Sequence, residues 1–171
     1  MKYPEKIFLT GMPGSGKTTL GKELAKKLDR NFFDLDAEIE RMAGWVIPDI
    51  FAQVGEDYFR ELEKSVLYML IRLNEPAVIA TGGGTPCFYD NMNLMNMSGT
   101  TIFLETAIDT LIERVKQDKN SRPLVGQMNN DTLDAEMKAL YEKRLSHYKK
   151  ASFTTNSNLK DIISTLESIK N

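Results

Sequence analysis

The sequence predicts an α/β fold in which a parallel β-sheet is covered by helices on both faces. Three observations carry this expectation. Short apolar runs alternate with longer segments whose apolar residues recur at helical spacing, and strands separated by helices pair in parallel. A glycine-rich turn, Gly11-x-x-x-x-Gly16-Lys17-Thr18, stands between the first run and the first helical segment, the context a phosphate-binding loop requires. The length of 171 residues, with 42% hydrophobic and 27% charged, suits one domain, 1–171, with a single sizeable core.

The bulk numbers exclude several function classes. A net charge of −2 offers no basic surface for nucleic acid or anionic membrane. The opening MKYPEKIFLTG has too short an apolar run for a signal peptide, and no stretch approaches membrane-spanning length. Cys87 has no second cysteine to pair with, which fits a reducing compartment, and the lone His147 cannot build a zinc site. A cytoplasmic enzyme acting as a monomer is expected.

Taken in order, strands are expected near 6–10, 31–35, 77–81, 100–104 and 152–154. Helices are expected near 17–29, 37–42, 48–53, 56–73, 88–96, 107–117, 131–150 and 158–170. In a parallel sheet ligands collect where the strands end. After the first strand, the glycines let successive N–H groups point inward and the next helix presents its positive end. Gly14, Ser15, Gly16, Lys17, Thr18 and Thr19 are therefore expected to cradle a polyphosphate, with Lys17 on the β/γ-phosphates and the Thr18 hydroxyl on Mg²⁺.

After the second strand, Asp34 and Asp36 alternate and would point the same way along a strand end. One could hold Mg²⁺ through water and the other take a proton from an attacking hydroxyl. The competing reading, a helix cap and a first-turn acid, is equally consistent with the spacing. Gly82, Gly83 and Gly84 follow the third strand, where a backbone must approach a ligand closely or turn sharply. Arg60 could bind a carboxylate bidentately, although beside Glu61 and Glu63 it reads locally as a solvated helix residue. The Gly-, Asn- and Pro-containing stretch about 118–128 reads as a mobile lid carrying Arg122 onto the phosphates. Arg144, in a basic helix end, reads locally as a cation against the helix dipole.

Together these stretches resemble the shikimate kinase family over nearly the whole chain. The matching pieces are GMPGSGKTT at 11–19, DLD at 34–36, IPDIFAQVGEDYFRELE at 47–63, TGGG at 81–84, RPL at 122–124, and R-x-x-x-Y-x-x-A at 144–151. The resemblance implies a three-layer P-loop fold like that of nucleoside-monophosphate kinases, its five parallel strands ordered 2-3-1-4-5. It implies MgATP-dependent phosphorylation of the shikimate 3-hydroxyl on the route to chorismate. By the same resemblance Lys17 contacts the transferred phosphate, and Thr18 with Asp34 organises Mg²⁺. Asp36, in a shikimate-binding region about 36–62, holds the ring hydroxyls and serves as base. Arg60 and Arg144 grip the carboxylate, Gly82–Gly84 line the ring, Arg122 comes from the lid, and Arg114 pairs with the family's adenine-stacking arginine. The chain departs from the family pattern at Ser146, where proline is usual, and at Ser152, where aspartate is usual. Gluconate or nucleoside-monophosphate kinases, and a non-catalytic nucleotide-binding module, are the competing functions.

Overall fold

A computed structural model of the chain describes residues 4–117 and 132–169. The expected lid at about 118–128, with Arg122, lies outside the described residues. Five strands form one parallel sheet ordered β2-β3-β1-β4-β5: β1 (Lys6–Thr10), β2 (Asn31–Asp34), β3 (Ala77–Ala80), β4 (Thr100–Glu105) and β5 (Phe153–Asn156). The helices are α1 (Lys17–Leu28), α2 (Leu35–Ala43), α3 (Ile47–Ile71), α4 (Asn91–Ser98), α5 (Ile108–Gln117), α6 (Leu133–Tyr148) and α7 (Leu159–Ser168), with a 3₁₀ turn at Thr85–Cys87.

The central strand β1 is buried along its whole length, and its side chains alternate between two cores. Phe8 and Ile79 face Leu35, Ile39, Phe59, Val66 and Leu70 of α2 and α3. Ile7, Leu9, Val78, Ile102 and Leu104 face Leu24 of α1 and Ile162 and Leu166 of α7. A third cluster joins Met12 and Phe103 to α5 and α6 through Leu111, Val115, Met137 and Tyr148.

Two expectations need correction, and one holds. Asp34 and Asp36 do not share a strand: β2 ends at Asp34, whose side chain caps α2, and Asp36 lies in that helix's first turn. The two helices expected at 48–53 and 56–73 are the two helical stretches of α3, which meet at a kink where Gly55 takes the non-helical φ 83° and ψ 174°. Only glycine takes that conformation readily, so the residue redirects the helix just before Arg60. The helix expected from 88 starts at Asn91, because Tyr89 and Asp90 adopt left-handed φ of 49° and 58° after the 3₁₀ turn. At Ser146 the family's proline is dispensable, since α6 runs unbroken through it. Ser152, where the family has aspartate, donates from Oγ to Asn96 Oδ1 at 3.1 Å and from its N–H to Thr101 Oγ1 at 2.7 Å.

Helix α1 lies close enough to β2 that a Cβ on Gly21 would stand 2.5 Å from Phe32 Cε2. Gly21→Ala, remote from the glycines described below, is expected to destabilise the protein by about 1–3 kcal/mol through overpacking. Urea unfolding followed by circular dichroism checks this.

Candidate active site

The strand order brings the carboxyl ends of β1, β2 and β3 side by side, and a cleft of about 460 Å³ opens there. Its base is the loop between β1 and α1. Gly14 and Gly16 take φ of 89° and 88°, which lets the chain reverse and start α1 directly at Lys17. Lys17 Nζ donates to the carbonyls of Gly11 at 2.8 Å and Met12 at 2.9 Å, so the ammonium lies over its own loop. Ser15 Oγ is buried with no hydrogen-bond partner among the described residues. Thr19 lines the cleft, and Arg114 of α5 donates from Nη1 to Gly14 O at 2.9 Å without lining it. Helix end, ammonium and unpaired hydroxyl make a cradle of the kind phosphates occupy.

Asp34 caps α2 with one carboxylate oxygen and meets Thr18 with the other. One carboxylate oxygen, Oδ1, accepts from the N–H groups of Asp36 at 3.1 Å and Ala37 at 3.4 Å, capping α2. The other, Oδ2, accepts from the Thr18 hydroxyl at 2.7 Å. Hydroxyl and carboxylate present two hard oxygen donors suited to Mg²⁺, which keeps several waters and needs few protein ligands.

Gly82, Gly83 and Gly84 form the far wall, and each is glycine because a charged side chain crowds it. A Cβ on Gly82 would lie 2.8 Å from Asp36 Oδ1 and 3.1 Å from Glu63 Oε1. On Gly83 it would lie 3.0 Å from Arg144 Nη1, and on Gly84 2.8 Å from Arg60 Nη2. The two arginines, 4% and 7% exposed for Arg60 and Arg144, are not the solvated cations that their local sequence suggests. Arg60 donates from Nη1 to Glu63 Oε2 at 2.9 Å and from Nε and Nη2 to Glu56 Oε1 at 3.2 and 3.0 Å. Its guanidinium lies 4.0 Å from the Phe88 ring centroid. Arg144 Nη1 is buried with no hydrogen-bond partner among the described residues. A buried cationic donor left without an acceptor is costly, so this nitrogen marks where an anionic group of a ligand belongs.

Sequence reasoning assigned no role to Glu63, which is 1% exposed and also accepts from Thr85 Oγ1 at 2.6 Å. Its spacing of three residues from Arg60 on one helix was the available signal. Ile47, Phe51 and Phe59 add an apolar wall. Burial pushes Asp36 up to about 7, with the Asp34, Glu63 and Glu40 carboxylates adding to the effect and Lys17 opposing it.

A P-loop at the carboxyl edge of this sheet, sharing one cleft with two buried arginines and a poised aspartate, defines a P-loop kinase with a small-molecule acceptor site. The chain belongs to the shikimate kinase family, whose model matches residues 13–169. It is 41% identical to a shikimate kinase of Parabacteroides distasonis over 96% of this chain and 99% of that one. Among solved structures it resembles shikimate kinase from Bacteroides thetaiotaomicron (39% identity, TM-score 0.86, 97% and 96% of the two chains). It resembles equally that from Acinetobacter baumannii in complex with shikimate (34%, TM-score 0.87, 96% and 94%).

The raised Asp36 has a thermodynamic consequence. In the unfolded chain the carboxyl ionises near 3.8, and in the folded, ligand-free protein near 7, so folding pays an electrostatic cost that grows above the lower value and is complete above the higher. Asp36→Asn is therefore expected to stabilise the ligand-free protein by about 1–3 kcal/mol at pH 8 and not at pH 3.5. Denaturant titrations of both proteins at the two pH values measure this.

Proposed function

We infer that this chain transfers the γ-phosphoryl group of ATP to the 3-hydroxyl of shikimate, giving ADP and shikimate 3-phosphate. The observation carrying the reading is the buried Arg144 Nη1 beside Gly83, without a hydrogen-bond partner among the described residues and in the same cleft as the phosphate loop and Asp36. Shikimate has one carboxylate and several ring hydroxyls, which match two arginines and one aspartate.

In this reading the loop from Gly14 to Thr19 receives the phosphates of ATP, and Lys17 exchanges its contacts with the Gly11 and Met12 carbonyls for the transferred group. Thr18 and Asp34 would hold Mg²⁺, which when bound offsets charge on the β- and γ-phosphates. Arg144 and Arg60 take the carboxylate of shikimate, and Gly82–Gly84 bring the backbone against its ring. Asp36 orients the 3-hydroxyl and accepts its proton as the new O–P bond forms. Arg114 holds the loop from the adenine side, and Arg122 reaches the phosphates from the lid. The enzyme works as a single domain, 1–171, and as a monomer in the cytoplasm, a setting that suits a chain with one cysteine. Among the described residues no helix is long and apolar enough to cross a membrane.

A coupled assay offering shikimate, gluconate and nucleoside monophosphates tests the reading. ADP release with shikimate alone is expected, and turnover of another acceptor in its place would overturn it. Lys17→Ala is expected to abolish turnover with the fold retained, read from ADP release and circular dichroism.

Arg60→Lys and Asp36→Asn separate binding from chemistry. Lysine keeps the charge but loses the planar fork, so KM for shikimate should rise roughly ten- to hundredfold with kcat little changed. Asparagine can neither carry the charge nor take the proton, so kcat should fall by about 10²–10⁴-fold. Asp36 accepts a proton only when ionised, so kcat/KM of the wild type should fall as pH drops below about 7. That acid limb should vanish in Asp36→Asn, as a pH-rate series on both proteins would reveal.

A further inference from the structure

Tyr148 lies outside the machinery described so far, yet it touches both of the site's loops. It is fully buried on α6, one helical turn after Arg144. Its ring stacks on Phe103 of β4, with centroids 5.1 Å apart and planes at 21°. Its hydroxyl donates to Gly83 O at 2.7 Å and lies 3.5 Å from Met12 Sδ in the phosphate loop. Burial pushes its pKa above the ordinary tyrosine range, so the hydroxyl keeps its proton and remains a donor.

Gly83 is the middle residue of the glycine wall. The space beside its Cα is closed by Arg144 Nη1 and by Pro13 Cδ, each 3.0 Å from where a Cβ would stand. The turn is held from within by Thr85 N–H to Gly82 O at 3.2 Å and Cys87 N–H to Gly84 O at 2.9 Å. Neither bond fixes the carbonyl of Gly83, which points to Tyr148 instead. Rotating that peptide would carry the backbone facing the acceptor with it.

We propose that Tyr148 is a positioning residue: its hydroxyl, by holding the Gly83 carbonyl against the phosphate loop, sets the orientation of the glycine wall and so the placing of the acceptor acid beside Arg144. The inference rests on the proposed function and adds to it a residue that touches neither substrate. It predicts an asymmetry. The phosphate loop has its own supports, from Lys17 and Arg114, whereas the Gly83 carbonyl depends on one phenol.

Tyr148→Phe keeps the ring stack and deletes the bond. It is expected to raise KM for shikimate about tenfold, the effect of one lost buried hydrogen bond, while KM for ATP stays within about twofold. In the ligand-free variant the Gly83 carbonyl ¹³C resonance should move, with that of Gly14 unmoved. Phe103→Leu, which removes the stack and keeps the hydroxyl, should lower the unfolding temperature without raising KM for shikimate. The inference is overturned if Tyr148→Phe leaves KM for shikimate unchanged, raises both KM values alike, fails to fold, or leaves the Gly83 resonance in place. It is also overturned if Phe103→Leu reproduces the rise in KM for shikimate. Failure of the wild type to phosphorylate shikimate would instead refute the proposed function, and the Gly83 resonance tests the Tyr148 bond without any substrate.

Discussion

Three successive residues without a side chain are the constraint on which the acceptor half of the cleft depends. At Gly82, Gly83 and Gly84 the backbone lies within about one bond length of contact with Asp36, Glu63, Arg144 and Arg60, so a methyl group at any of them would collide with a charged atom. The glycines bring four ionisable groups from α2, α3 and α6 around one turn of chain. Burial against this turn raises Asp36, with the Asp34, Glu63 and Glu40 carboxylates adding to it, and the turn itself is secured by Tyr148 and Thr85.

The charges around this turn are unevenly matched. Arg60 is neutralised by Glu63 within the interior and by Glu56 at the surface, and it stacks on Phe88, so its position is fixed before any ligand arrives. Among the described residues Arg144 makes no ion pair with an acid, and its Nη1 has no acceptor. One arginine is thus a rigid wall and the other an open demand for negative charge. A single carboxylate reaching both would meet an Arg60 already set in place by Glu56 and Glu63 and would supply the acceptor that Arg144 Nη1 lacks among the described residues.

How far the sequence could be read depended on how local the cause was. The phosphate loop was legible because its conformation is set by glycines and a helix start within eight residues, and β1 and α1 fall where expected. The break in α3 was legible as a gap between two helical patterns centred on Gly55, where the structure has its kink. Arg60 and Arg144 were misread by local pattern alone, since their burial comes from Phe88, Gly84 and Gly83 far away in the chain; only the joint motif set restored them. Asp34 and Asp36 were placed on a strand because their alternation fits one, but the cap made by Asp34 starts a helix at Leu35, two residues before the apolar pattern does. Tyr148 was quoted within a motif and given no task, because a buried tyrosine at helical spacing looks like core until its hydroxyl is seen to have a partner.

The position of β1 in the middle of the sheet bears on how such a chain comes into being. Its neighbours, β3 and β4, lie about seventy and ninety residues downstream, at Ala77–Ala80 and Thr100–Glu105. Contacts of such sequence separation are slow to form because loop closure must precede them. During synthesis the phosphate-binding turn therefore emerges long before the strands that steady it, and Arg144 and Tyr148 emerge later still. The residues that would hold the nucleotide are thus laid down more than a hundred residues ahead of Arg144 and Tyr148, and the acceptor half of the cleft is the last part of the site to be completed.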